Sequence, residues 1–158
     1  MKLRGLLDED FVQYKEPSMF LIFPNCTFKC DKERGTNVCQ NSGLVRETYI
    51  VDIPVKKLVD RYLSDPITKA VVCRGLEPLD SFDDLLELLT ELRKHCDHPF
   101  VIYTGYRNDE VEDKIEQLSK FNNVIIKFGR FIPGQESHFD PVLGVNLRSL
   151  NQYRVKVS

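Results

Sequence analysis

With 158 residues, 22 Lys and Arg against 24 Asp and Glu, and a formal net charge of −2, the chain is sized for one domain spanning 1–158. The near balance of charge gives no general attraction to nucleic acid or anionic lipid, and no apolar run approaches the roughly 20 residues that a membrane span requires, so neither partner is expected. No leader-like n-region and h-region open the sequence, and five cysteines are an odd number for a secreted disulfide framework, so a cytoplasmic location with reduced thiols is expected.

Apolar runs alternate with helical patterns along the chain. Ser18 to Phe23 reads as a buried strand that ends at Pro24, and Val55 to Leu63 has helical spacing stopped by Asp65-Pro66. A second strand is expected over Lys69 to Cys73. The clearest helix covers Ser81 to His95, with Ser81 as cap, Asp83 and Asp84 in the first turn, and an apolar face of Leu85, Leu86, Leu88, Leu89 and Leu92. Phe100 to Tyr103 is a third strand, Asp109 to Lys120 a third helix and Val124 to Phe128 a fourth strand. The tail from Gly129 is richer in Pro and Gly and closes with an extended segment, Gln152 to Val157. Strands separated by helices predict an α/β fold with parallel strands. A closed (β/α)8 barrel takes about 200 residues or more, so any barrel built here is incomplete and open on one side.

Three segments carry the chemical signal, and each follows a predicted strand. Cys26, Cys30 and Cys39 come after the first, Arg74-Gly75-Leu76-Glu77-Pro78 after the second and Thr104-Gly105-Tyr106 after the third. Parallel α/β folds gather their chemistry at the C-terminal strand ends, so the three segments are expected on one rim. Thiolates grouped on one loop suit a soft metal or an iron-sulfur cluster. A structural zinc site with His138 or Cys73 as fourth ligand is an alternative, although no second Cys-x2-Cys or His pair completes a zinc pattern. Cys73 in its strand and Cys96 at a helix end read as packing thiols.

The cysteine cluster, Gly75-Leu76-Glu77-Pro78, Tyr103 to Tyr106, Val124 to Phe131 and Ser149-Leu150-Asn151-Gln152, in that order, resemble the small radical S-adenosylmethionine enzymes that activate anaerobic ribonucleotide reductase. The likeness covers nearly the whole chain and implies an incomplete (β/α) barrel of radical S-adenosylmethionine type. It further implies a 4Fe-4S cluster held by Cys26, Cys30 and Cys39, with S-adenosylmethionine completing the coordination. The implied activity is reductive cleavage of that cofactor to place a glycyl radical on the reductase large subunit, with electrons from a flavodoxin- or ferredoxin-type donor. Gly75 would let the backbone approach the cofactor's amino group, Glu77 would accept from its ammonium, and Pro78 would fix the turn. Thr104 and Asn41 are candidate polar contacts to the cofactor. A radical enzyme acting on a small molecule, such as a deazapurine synthase, and a zinc-stabilised binding module are the alternatives.

The pattern departs from the superfamily in places. Its usual spacing is Cys-x3-Cys-x2-Cys, whereas eight residues, Asp31 to Val38, separate Cys30 from Cys39. A longer loop is tolerable, since each doubling of loop length costs about 0.6 kcal/mol. Val38 stands where an aromatic residue is common, and Leu76 replaces the second glycine of Gly-Gly-Glu-Pro. No segment looks long enough to form a lid, so a partner protein is expected to close the site.

Overall fold

The computed structural model describes residues 1–26 and 49–158. Within them the chain forms β1 (Lys2–Leu3), β2 (Gly5–Asp10), β3 (Ser18–Phe23), β4 (Val51–Asp52), α1 (Val55–Ser64), β5 (Ala70–Gly75) and α2 (Phe82–Leu92). It continues through β6 (Phe100–Tyr103), α3 (Glu112–Leu118), β7 (Val124–Phe128), β8 (His138–Asp140), β9 (Val145–Leu147) and β10 (Tyr153–Lys156). The central sheet has six strands in the order β10-β7-β6-β5-β3-β2 and is open, with β2 and β10 at its edges.

Parallel pairing holds for the four inner strands, β3, β5, β6 and β7. The two edges correct the all-parallel expectation: β2 and β10 both run antiparallel to their neighbours. β2 returns to β3 through one short loop, whereas parallel neighbours need a long crossover, and β10 follows the long tail that carries β8 and β9 and has no crossover helix.

Both faces of the inner strands are largely buried, which is why these strands read as apolar runs, broken by charge only at Arg74 and Lys127 near the ends of β5 and β7. In β5 the alternation sends Val71 and Cys73 to the helix side, where they join Leu58, Leu85, Leu88, Leu89 and Leu92. Ala70 and Val72 face the other way and pack with Val101, Ile125, Tyr14, Leu143 and Leu147. The second face is therefore covered by the loop after β2 and by the tail, which the Lys15 N–H to Leu143 carbonyl bond holds together at 2.8 Å.

Helix boundaries differ from the expected ones: α1 runs one residue longer to Ser64, α2 stops at Leu92 rather than His95, α3 stops at Leu118 rather than Lys120, and α2 and α3 both start late. A 3-10 turn, Pro78–Ser81, precedes α2, and Ser81 makes no capping bond; its hydroxyl accepts instead from Asn25 Nδ2 at 3.2 Å. A second 3-10 turn, Asn108–Glu110, replaces the expected start of α3, because Val111 at φ −136° leaves the helical region.

Gly75 ends β5 with φ +98°, and a Cβ there would lie 2.6 Å from Ile22 Cγ2 and 2.8 Å from the Phe23 nitrogen. Glycine is thus required by the close approach of β3 as well as by its own backbone angle. We expect Gly75→Ala to cost about 2–4 kcal/mol in urea unfolding, from left-handed strain plus overpacking against backbone that cannot swing aside. A loss below about 1 kcal/mol would mean that the two strand ends separate easily.

Candidate active site at the strand ends

The loops after β3, β5, β6 and β7 surround a cavity of about 480 Å³. Cys26, Gly75, Glu77, Thr104, Gly105 and Gly129 contribute to its lining, one or more from each of the four strand ends. The convergence expected from the sequence is therefore present for every predicted segment that falls in the described residues. Cys30, Cys39, Val38 and Asn41 lie outside the described residues.

Backbone bonds hold the turn after β5 against the cysteine-bearing loop. Leu76 N–H donates to the Phe23 carbonyl at 3.4 Å and Glu77 N–H to the Asn25 carbonyl at 2.8 Å, one residue before Cys26. Pro78 opens the 3-10 turn with its φ already set and its missing N–H not needed. Leu76 is nearly buried and takes no left-handed angle, since Asn123 is the only non-glycine residue with positive φ among the described residues. The turn consequently runs without a second glycine.

Glu77 is the centre of this rim. Its carboxylate accepts from Leu79 N–H at 3.1 Å and from Gly105 N–H at 2.8 Å, and the Thr104 hydroxyl donates to it as well. One side chain thus ties the β5 turn to the β6 turn. Burial raises its pKa to about 7, against the opposing pull of those three donors, and nearby Asp80 adds to the rise. Thr104 is occupied on both sides, because its oxygen also accepts from Tyr106 N–H at 3.0 Å.

The other motifs singled out in the sequence brace the same rim. Tyr106 OH donates to Asp80 at 2.6 Å, and its carbonyl accepts from Gly129 N–H at 3.0 Å. Arg130 pairs with Glu110 at 2.6 Å, which holds that carboxyl down to about 2. Ser149 to Gln152 grip the segment after β7 from behind. Asn151 Nδ2 donates to the Arg130 carbonyl at 2.7 Å, Gln152 Nε2 to the Gly129 carbonyl at 3.3 Å, and Ser149 Oγ accepts from Ile132 N–H at 3.2 Å.

Sequence reading missed the far wall. Gln13 from the loop after β2, and Ser137, Val145, Asn146 and Arg148 from the β8–β9 region, also line the cavity. The tail therefore supplies a wall of the cavity, a role the sequence reading had not assigned to it. Arg74 and Lys127 line it too, and a signal for them existed: each is the only charge in an otherwise apolar strand, next to its C-terminal end.

The donor chemistry on this rim suits a cluster at Cys26 better than zinc with the alternative fourth ligands. Cys73 is fully buried in the helix-side core, where burial pushes its thiol well up, and His138 Nε2 is bonded to the Gln152 carbonyl at 2.9 Å. Neither lines the cavity with Cys26. No group of three or more His, Cys, Asp or Glu forms a metal site among the described residues, so the ligand set depends on the loop that Cys26 begins. No described helix is long and apolar enough to cross a membrane.

A family model described as a 4Fe-4S single cluster domain matches residues 18–152. That interval contains Cys26, Cys30 and Cys39 and every cavity-lining strand end. No curated protein matches the chain.

Proposed function

The chain belongs to the 4Fe-4S single cluster domain family, and from that premise we propose that it is a radical S-adenosylmethionine enzyme that activates anaerobic ribonucleoside-triphosphate reductase. The observation that carries the reading is the meeting of Cys26, the Gly75–Pro78 turn and Thr104-Gly105 at one cavity, at the C-terminal ends of parallel strands. Cys26, Cys30 and Cys39 are the residues that would hold the cluster. When bound, a 4Fe-4S cluster with one iron free of protein would supply the electron that cleaves the cofactor's sulfonium bond.

The chain's own residues orient and enclose. Glu77 presents a buried carboxylate to an ammonium group, and Thr104 and Gly105 hold that carboxylate in place. The Gly75 angle turns the chain so that Glu77 reaches the rim, and the Tyr106, Arg130 and Asn151 contacts keep the opposite lip fixed. Preorganised polar groups of this kind lose little entropy when the cofactor binds. Electrons would come from a flavodoxin- or ferredoxin-type donor, and the reductase large subunit would present its glycine at the cavity mouth.

The test is electron paramagnetic resonance under anaerobic conditions. With S-adenosylmethionine, a strong reductant and the reductase large subunit, the reconstituted protein should yield a glycine-centred doublet on that subunit, and the Cys26→Ala protein should not. Cofactor cleavage without the doublet would favour a radical enzyme acting on a small molecule. One observation supports that second reading: the tail and the loop after β2 wall the cavity from within the chain.

A further inference from the structure

The cavity is lined by charges of both signs, Glu77 against Arg74, Lys127 and Arg148. The Lys127 ammonium donates to the Gly129 carbonyl at 2.9 Å, and the charges acting on Arg74 are those of Arg148 and Asp10.

Arg74 is held rigidly. Its Nη1 donates to Gln13 Oε1 at 2.5 Å, and its guanidinium carbon lies 5.0 Å over the Tyr103 ring, which offers a cation its negative face. Tyr103 OH in turn donates to the Gln13 carbonyl, and Gln13 N–H donates to Asp10 Oδ2 at 2.8 Å. Asp10 is engaged in that turn, accepting also from Val12 N–H at 3.1 Å, and makes no ion pair with Arg74. Arg148 is anchored through its backbone N–H to Gln152 Oε1 at 2.7 Å, with its side chain left to the cavity. Among the described residues neither arginine has a carboxylate within 4.0 Å of its guanidinium.

Two guanidinium groups sharing a cavity repel each other, and burial lowers the pKa of Arg74, an effect that Tyr103 and Asp10 oppose and that Arg148 reinforces. Such an arrangement is stable when an anion enters, since a guanidinium offers a fork of donors matched to carboxylate and phosphate oxygens. We propose that Arg74 and Arg148 form an oxyanion-binding site for a small molecule carrying a carboxylate or phosphate group, on the wall of the cavity that Gln13 and Tyr103 share. A small molecule fits better than a polypeptide because the walls from Gln13 and from Val145 to Arg148 belong to this chain. The volume also lies in the range of about 300–1,000 Å³ usual for small-ligand pockets. The inference does not require S-adenosylmethionine to be the molecule that Glu77 binds.

Calorimetric titration of the anaerobically reconstituted protein with inorganic phosphate, and separately with malonate, tests it at constant ionic strength set with chloride. Saturable binding of one anion per chain is expected. Arg148→Gln should weaken it about tenfold or more, as loss of a charged hydrogen bond does, and Arg74→Gln at least as much. Lys120→Gln, on the exposed surface past α3, should bind as the unaltered protein does. Arg148 is exposed, so its replacement leaves the fold intact even where Arg74→Gln disturbs Gln13. Absence of saturable binding, or unchanged affinity in Arg148→Gln, overturns the site. Displacement of phosphate by S-adenosylmethionine also overturns it, because the arginines would then serve the cofactor's own carboxylate; persistence of phosphate binding beside the cofactor supports it.

Discussion

Alanine at Cys26, Cys30 or Cys39 should abolish the cluster, while Cys73→Ala and Cys96→Ala should keep it. Iron and sulfide assays on the reconstituted proteins, with the visible absorption of the cluster, read the result directly. The unaltered protein should bind close to the 4 irons of its family's cluster. Cys26 sits at the cavity end of β3, beside the Asn25 carbonyl that receives Glu77 N–H, so a cluster there borders the candidate cofactor pocket. Cys73 is one register position away from usefulness. It points to the helix-side core with no exposure, and burial favours its neutral thiol over the thiolate that iron requires. Cys96 precedes β6 and so lies toward the strands' opposite end, against the helix-side core. Each of these three changes removes one of the three expected thiolate ligands, so the expected effect is all or none. A full cluster in Cys39→Ala would show that the eight-residue spacer had been misread and that another group is the third ligand.

The inner strands were legible because both of their faces are buried. Val71, Val72, Val101 and Ile126 leave no polar interruption, and an apolar run bounded by turn residues admits few other readings. β2 was illegible for the opposite reason. Its sequence, Gly5 to Asp10, carries three acidic residues, with Asp8 bridged to Arg61 on the outside, and an edge strand needs little apolar content. The β8–β9 hairpin is short and half exposed, so its pairing rests on tail packing against Tyr14 and Lys15 rather than on propensity. At the site, loops after strands could be placed on one rim from topology alone. What topology could not supply was the occupancy of each side chain. Glu77 is already engaged with Gly105, Leu79 and Thr104, and Ser149 to Gln152 act as braces for Gly129 to Ile132. Those roles depend on contacts across long stretches of sequence.

The ionisation of Glu77 gives a second large effect, with a sign that can be worked out. Its folded pKa of about 7 lies above the ordinary value of 4.5, so the folded chain holds this proton more tightly than the unfolded chain. The associated stability is fully present below about pH 4.5 and is lost as pH rises through about 7. At about 1.4 kcal/mol per pKa unit, urea unfolding should show a fall of about 3 kcal/mol between pH 4.5 and 8, and Glu77→Gln should remove most of that slope. Binding of an ammonium-bearing cofactor reverses the preference, because a cation beside Glu77 favours the carboxylate. On the proposed function, S-adenosylmethionine affinity should therefore rise with pH through about 7, with a proton released on binding. The Glu77→Gln protein should retain its cluster, bind the cofactor about 10- to 100-fold more weakly, and show a flat pH profile. Leu79 N–H and Gly105 N–H bond different oxygens of Glu77, so the amide keeps one of these two bonds and gives up the other, and a folded but less stable rim with a weakened pocket is the expected combination. Equal affinity and equal pH dependence in the two proteins would return Gly75 to Pro78 to the status of a structural turn, with Glu77 acting only as the tie between β5 and β6.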